Sequence, residues 1–171
     1  ISKTFPVVFR VAPPVITDYI NLFDTLFTEA FGKSEDYSKD LISRIYRIVH
    51  PEANVREIIM FINALVSLRH ERDDVTLINI VVFKLFESLL LEHPVIQILS
   101  GDYLKALQNI ISNDIQRQSE ISALVYGVDI ERARQIPISQ YISKCFSLDK
   151  DYDINKYAES NPSFDQVLLE V

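Results

Sequence analysis

The run Asn54-Val55-Arg56-Glu57 has the residue types and spacing best suited to chemistry in this sequence. Asn54 and Glu57 are spaced as in a capping box, in which each side chain satisfies a backbone N–H at a helix start. Arg56 then falls in the first helical turn. From there a guanidinium can make charge-assisted, often paired, hydrogen bonds to phosphate oxygens, and the positive end of the helix dipole adds to the attraction. The run predicts a capped helix start from which Arg56 could reach an anion such as a phosphate, with Asn54 and Glu57 as the capping residues.

A plainer interpretation of the same run stays open. An exposed arginine beside capping residues also arises by chance, and a surface ion pair from Arg56 to Glu52 or Glu57 would contribute at most about 1 kcal/mol. The substitution Arg56→Ala separates the two interpretations. It should lower the ATP turnover of the full-length protein only if Arg56 binds a phosphate, and not if Arg56 makes a surface ion pair.

Familiar enzyme motifs are absent from the 171 residues. The sequence contains no G-x-x-x-x-G-K-[ST], no G-x-G-x-x-G and no G-x-S-x-G, and three scattered glycines cannot build a phosphate cradle. The spacing of Asp149, Asp151 and Asp153 resembles the start of an EF-hand loop, but the glycine and the closing glutamate are missing. These acidic residues are therefore predicted to lie in a solvated loop.

Composition excludes several classes of protein. Hydrophobic residues make up 48% and charged residues 24%, which is typical of a globular chain and not of a disordered or fibrous one. Cys145 is the only cysteine, so it cannot form an internal disulfide, and the three histidines are far apart. We expect no zinc site and, from the cysteine usage, a cytoplasmic protein.

The net charge of −7 is unevenly distributed. Residues 1–70 carry 8 basic and 8 acidic side chains, whereas residues 71–171 carry 9 and 16. An acidic surface repels phosphate backbones, so nucleic acid is not the favoured partner. The most apolar stretch, from Val75 to Leu91, includes Lys84 and Glu87 and falls short of the ~20 apolar residues that a bilayer requires. It is predicted to be a buried helix, and no membrane segment is expected.

Hydrophobic spacing predicts a mostly helical fold. Phe5 to Val11 is β-branched and aromatic and predicts one short strand before Pro13-Pro14. Capping residues, apolar stripes and helix-ending Gly or Pro residues predict the helices that follow. They are a helix from Asp18, capped by Thr17 and ended by Gly32; one between Ser38 and Pro51; one starting at Asn54; and helices at 75–92, 101–114, 117–126, 129–135 and 139–147, with Asp129 as a cap.

The predicted fold class is therefore all-α, a multi-helix bundle in two helical units with one short N-terminal strand. The strand lacks an evident partner in the chain, which predicts that its sheet lies in missing sequence. The chain also begins with Ile1 instead of Met, as expected of a piece of a longer protein. The predicted segments are 1–14 (last strand and exit of a missing core), 15–72 (helical lid), 73–148 (second helical unit) and 149–171 (a polar tail, partly docked).

Asn54-Val55-Arg56-Glu57 resembles the N-V-R-E run that opens a lid helix of many AAA+ ATPases, where the arginine is the sensor 2 residue. The wider order of features resembles KAP-type P-loop NTPases, and most of all their YobI-like branch, over residues 5–147. The segments that carry this resemblance are F-P-V-V-F-R-V, Pro13-Pro14, N-V-R-E-I-I-M-F-I-N-A-L, the run from Ile98 to Leu104 and the run from Ala123 to Val128. Walker A and Walker B are absent, which implies that they lie upstream.

The resemblance implies a C-terminal helical part of an ATPase that closes over nucleotide bound in an upstream core, with Arg56 as a sensor 2-like residue. By itself this chain would be inactive and hold no cofactor, whereas the full-length protein would use ATP and Mg²⁺. Its partners would be the upstream core and a protein partner or second copy. The alternatives are a helical protein-interaction module without nucleotide chemistry and a winged-helix or helix-turn-helix nucleic-acid domain. The last rests on Arg132, Arg134 and Lys144 within 129–147, and the acidic second part disfavours it.

Overall fold

The computed structural model describes residues 19–32 and 38–147, together with positions 153, 155 and 158. Over these residues the chain is all-helical and forms a multi-helix bundle, as predicted. In order, its elements are α1 (Tyr19–Phe31), α2 (Lys39–Val49), α3 (Val55–Glu71), α4 (Leu77–Glu92), α5 (Pro94–Ser100), a 3₁₀ helix (Asp102–Leu107), α6 (Ile115–Tyr126) and α7 (Ile130–Phe146). The predicted strand at Phe5–Val11 and the predicted cap Thr17 lie outside the described residues.

Three predicted N-caps are confirmed. The Ser38 hydroxyl accepts a hydrogen bond from the Leu41 backbone N–H at 3.3 Å at the start of α2. The Asp129 carboxylate accepts one from the Arg132 N–H at 2.8 Å at the start of α7. The third, Asn54, begins α3 and belongs to the site described below. These short polar side chains satisfy N–H groups that have no partner within the helix.

The region after α4 differs from the predicted helix at 101–114. Pro94 not only follows α4 but also occupies the first turn of α5, where the N–H that proline lacks would have no helical partner. Gly101 ends α5 in the left-handed conformation, with a φ of 72°. Only the 3₁₀ helix follows, and α6 begins two residues earlier than predicted because the Asp114 carboxylate accepts from the Arg117 N–H at 2.9 Å.

The prediction of two helices separated at Pro137 is wrong. Helix α7 runs without interruption from Ile130 to Phe146. A proline inside a helix removes one backbone hydrogen bond and costs about 3 kcal/mol. Pro137 is buried, and so is Ala133, whose carbonyl would have accepted that bond. Helix α7 packs against both α5 and α6, so tertiary burial offsets the local cost.

The main hydrophobic core takes side chains from every helix from α1 to α6. It therefore includes residues on both sides of position 72, where the sequence predicts a boundary between two helical units. A smaller cluster joins α5 to α7 through Val95 and Tyr141. The Tyr141 hydroxyl also donates to the Asp153 carbonyl at 3.0 Å, which holds this part of the tail against α7.

The linker between α3 and α4 is fixed to α6 by Arg72. Its guanidinium makes two hydrogen bonds of 2.9 Å to the Asp74 carboxylate and a third, of 2.7 Å, to the Ala123 carbonyl in α6. These hydrogen bonds to Asp74 raise the pKa of Arg72 and lower that of Asp74. The Arg72 side chain thus joins the α3–α4 linker to α6.

Candidate functional site

The start of α3 has the capping box that the sequence predicts. The Asn54 side-chain oxygen accepts from the Glu57 N–H at 3.0 Å, and Glu57 Oε2 accepts from the Asn54 N–H at 3.0 Å. Two of the N–H groups at this end, those of Asn54 and Glu57, are therefore satisfied within the site. Arg56 is the second residue of the helix, and the reciprocal hydrogen bonds fix the backbone from which its side chain extends.

Replacing Asn54 by alanine is expected to lower the free energy of unfolding by about 1 kcal/mol, because the first turn of α3 loses its side-chain acceptor. Urea denaturation followed by circular dichroism measures the change. Ser38→Ala at the start of α2 is a matched control and should have a similar effect, since that cap makes the same kind of bond. A loss below a few tenths of a kcal/mol in Asn54→Ala would contradict a stabilising capping box.

The Arg56 side chain is exposed. Within the described part of the chain it forms no hydrogen bond or ion pair, and the proposed surface pairs with Glu52 or Glu57 are not made. Glu57 instead uses its carboxylate to cap the helix. The Arg56 guanidinium therefore presents its N–H donors to solvent, beside the positive end of a 17-residue helix. This arrangement suits a bound anion.

Three aromatic side chains, one each from α1, α2 and α3, pack together beside the first half of α3. The Tyr46 ring of α2 lies 4.7 Å from the Phe23 ring of α1 and 4.7 Å from the Phe61 ring of α3, measured between centroids. Burial, and secondarily the negative charge of Glu57, raises the pKa of Tyr46 to about 12. The Tyr46 hydroxyl therefore keeps its proton at neutral pH, and the cluster acts by packing.

Helices α1 and α3 are in contact in the first half of each helix. The rings of Phe23 in α1 and Phe61 in α3 lie 6.5 Å apart, measured between centroids.

A cavity of about 260 Å³ lies at the N-terminal end of α2, whereas Arg56 follows its C-terminal end. It is bordered by the start of α2, by α4 and by residues that precede and begin α6, and its lining residues are Ser38, Leu41, Ile42, Ile78, Ile110, Ile111, Ser112, Asp114 and Arg117. Arg117 already donates to the Asn79 side-chain oxygen at 2.7 Å and to the Ser112 carbonyl. Since α2 is about 16 Å long, this cavity and Arg56 do not form one site.

A buried carboxylate, Glu120, was not predicted from the sequence and is only 3% exposed. Its Oε2 atom accepts from the Thr76 N–H at 2.8 Å, the Thr76 hydroxyl at 2.7 Å and the Asn79 amide at 2.9 Å, and its Oε1 accepts from the Gln116 amide at 2.9 Å. The carboxylate lies at the N-terminal end of α4, where the helix dipole favours negative charge. All of its partners are structural, so we assign Glu120 to stability.

Among the described residues, no three His, Cys, Asp or Glu side chains come together in a way that could hold a metal ion. In the same part of the chain, no helix combines the length and the apolar character needed to cross a membrane.

Comparison with known proteins identifies no relative. No protein-family model matches the chain, and neither the curated proteins nor the solved structures include a significant match. The resemblance to KAP-type NTPases therefore stays a hypothesis, carried by the sequence runs quoted above and by the position of Arg56.

Proposed function

We propose that this chain is the C-terminal helical part of a KAP-type P-loop NTPase, comprising the lid and the helical unit that follows it, and that Arg56 contacts the phosphates of ATP bound by a core domain encoded upstream. In this role the arginine would stabilise the negative charge that develops on the transferred phosphoryl group. ATP and Mg²⁺ would be held by the core, since this sequence contains no Walker motif. The lid would supply a positioned cation.

The observation that carries the proposal is the combination of a free guanidinium and its position. Arg56 extends from a capped helix start and has no ion-pair partner among the described residues, so its N–H donors remain available to an anion.

The test is Arg56→Ala in the full-length protein. ATP turnover should fall by roughly tenfold or more, the size expected when one charge-assisted contact to the developing phosphate charge is lost. The free energy of unfolding of the 171-residue chain should change by less than about 0.5 kcal/mol, because the side chain has no described contact to lose.

Arg134→Ala is the matched control, because Arg134 is also exposed but lies on α7. It should leave turnover unchanged. Equal turnover in Arg56→Ala and the wild type, in a protein with a confirmed Walker A motif upstream, would remove Arg56 from the nucleotide site. A full-length gene without a Walker A motif would contradict the whole proposal.

A second function, a protein-interaction module without nucleotide chemistry, is favoured by a different observation. Ile59, Met60 and Val66 of α3 are 42%, 60% and 40% exposed, although their side chains are large and apolar. Exposed apolar side chains grouped on one helix are typical of a contact surface. This function requires no upstream core, so the full-length gene also separates the two.

A further inference from the structure

The cavity at the N-terminal end of α2 has a floor and a mouth of different chemistry. Its apolar floor is formed by Leu41 and Ile42 of α2, Ile78 of α4, and Ile110 and Ile111 from the segment before α6. Ile42 and Ile111 are buried, and the other three are partly buried. The mouth is polar, with two serines, an aspartate and an arginine. Ligand sites in proteins have this anatomy, in which a mostly apolar lining carries a few polar groups.

Hydrogen bonds fix one wall of this cavity. The N–H groups of Ile110 and Ile111 both donate to the Leu107 carbonyl, at 2.8 and 2.9 Å. The Asn113 amide donates to the Ile98 carbonyl at 3.0 Å. The segment between the 3₁₀ helix and α6 is therefore attached both to the 3₁₀ helix and to α5. A wall that is already in place lowers the entropy cost of binding a ligand.

The volume of the cavity, about 260 Å³, sets the size of a ligand. A cavity of about 150 Å³ lined by apolar side chains is large enough for benzene. The additional volume here accommodates a ring with a short substituent, about nine non-hydrogen atoms in total. A ring is also rigid, so it loses little conformational entropy when it binds. Drug-sized ligands occupy sites of about 300–1,000 Å³ and would extend from this cavity into solvent.

Two side chains at the mouth have hydrogen-bond donors that the described residues do not use. Arg117 donates from Nε to the Asn79 side-chain oxygen and from Nη1 to the Ser112 carbonyl, which leaves the two N–H groups of Nη2. The Ser38 hydroxyl accepts from the Leu41 N–H, and its own proton has no acceptor among the described residues. The mouth therefore favours a ligand with a hydrogen-bond acceptor.

The charges at the mouth favour an uncharged acceptor over an anion. Arg117 Nη1 lies 3.5 Å from Asp114 Oδ2, so the positive charge of the guanidinium is already matched. Burial works to raise the pKa of Asp114, but hydrogen bonds from the Arg117 backbone N–H and the Ser112 hydroxyl lower it below its usual value. Asp114 is therefore negative at neutral pH and would repel an anionic ligand, whereas a carbonyl oxygen carries no net charge.

We propose that this cavity binds a small, uncharged aromatic molecule, whose ring packs against the isoleucines of the floor and whose carbonyl oxygen accepts a hydrogen bond from Arg117 Nη2. Aryl ketones and aryl amides of about nine non-hydrogen atoms have this chemistry. The expected dissociation constant for a ligand of that size is ~0.5 mM. The site lies apart from Arg56, so it goes beyond the nucleotide role proposed above and does not depend on it.

The test is a titration of the 171-residue chain with acetophenone, followed through the Cδ1 methyl signals of its isoleucines in NMR spectra. The signals of Ile42, Ile78, Ile110 and Ile111 should shift along one binding curve, whereas that of Ile59, exposed on α3, should not. Ethylbenzene lacks the carbonyl and should bind about fivefold more weakly, because one hydrogen bond is lost. Benzoate is similar in size but negatively charged, and it should also bind about fivefold more weakly than acetophenone.

Variants locate the ligand within the cavity. Ile110→Phe should abolish binding because the larger side chain fills the cavity, whereas Ile59→Phe on the surface of α3 should leave binding unchanged. Leu41→Phe fills the same space from α2 and keeps the test available if Ile110→Phe does not fold. Arg117→Lys keeps the charge but removes Nη2, so acetophenone should bind about fivefold more weakly while ethylbenzene binds as before.

The absence of any shift of the cavity methyl signals with up to ~5 mM acetophenone, about ten times the expected dissociation constant, would overturn the proposal. So would wild-type binding by folded variants that fill the cavity. Benzoate or ethylbenzene binding as tightly as acetophenone would overturn the choice of an uncharged acceptor. Unchanged binding of acetophenone to Arg117→Lys would overturn the contact with Nη2.

Discussion

Replacing Glu120 by alanine is expected to lower the free energy of unfolding by about 3 kcal/mol, the scale seen when one partner of a buried charged network is removed. The variant leaves the donors of Thr76, Asn79 and Gln116 without the acceptor they share. It also removes the negative charge from the N-terminal end of α4. For a chain of this size the melting temperature should fall by roughly 6–12 °C, measured by calorimetry.

Gln116→Ala is the control for this network. It removes one of the hydrogen bonds to Glu120 but leaves the carboxylate in place, and Gln116 is exposed, so the loss should stay near or below about 1 kcal/mol. A Glu120→Ala variant as stable as Gln116→Ala would show that the buried network contributes little.

The pH dependence of unfolding provides an independent measure of the same carboxylate. Burial works to raise the pKa of Glu120, but the hydrogen bonds from Thr76, Asn79 and Gln116 together lower it below its usual value of 4.5. Because the unfolded chain takes up the proton first as the pH falls, the contribution of Glu120 is complete above pH 4.5 and is lost below it. The wild type should therefore lose stability more steeply below pH 4.5 than Glu120→Ala does.

The second large effect is expected at Gly101. Alanine there should cost about 3 kcal/mol, because its Cβ atom meets the side chain of Asn113 and the residue must also keep a positive φ. The new atom would lie 2.7 Å from Nδ2 and 2.8 Å from Cβ of Asn113. Asn113 cannot move freely, since its amide donates to the Ile98 carbonyl at 3.0 Å and connects the end of α5 to the segment before α6.

Gly127→Ala separates the two causes. Gly127 has a similar φ of 65°, but no atom lies within 4 Å of the position that its Cβ would occupy. Only the conformational cost of about 1 kcal/mol applies there. Urea denaturation of the two variants should therefore differ by roughly 2 kcal/mol. Equal losses would mean that the contact with Asn113 relaxes without cost.

The helices with clear local signals were predictable from sequence. Helices α1, α2 and α3 each combine an apolar stripe with a capping or terminating residue, and these signals act within a few residues of one another. The course of the chain at Pro94 and Pro137 was not predictable in the same way. Pro94 begins α5, and Pro137 is tolerated inside α7 because α7 packs against α5 and α6, a tertiary contact that no local pattern contains.

The same distinction between local and long-range contacts decides which polar side chains could be predicted. The contacts of Asn54 and Glu57 span three residues, so the spacing alone predicts the capping box and the position of Arg56. Glu120 receives its hydrogen bonds from Thr76 and Asn79, which lie 44 and 41 residues earlier. Its sequence neighbourhood is that of an ordinary helix, and only the tertiary fold brings these residues together.

The hydrogen bonds of Arg72 have a mechanical consequence. A linker between two helices acts as a hinge only if its backbone dihedrals are free to change, and Arg72 attaches this linker to α6 through the Ala123 carbonyl. A change of angle between α3 and α4 would therefore have to break the hydrogen bond from Arg72 to the Ala123 carbonyl, so motion at this joint is coupled to α6.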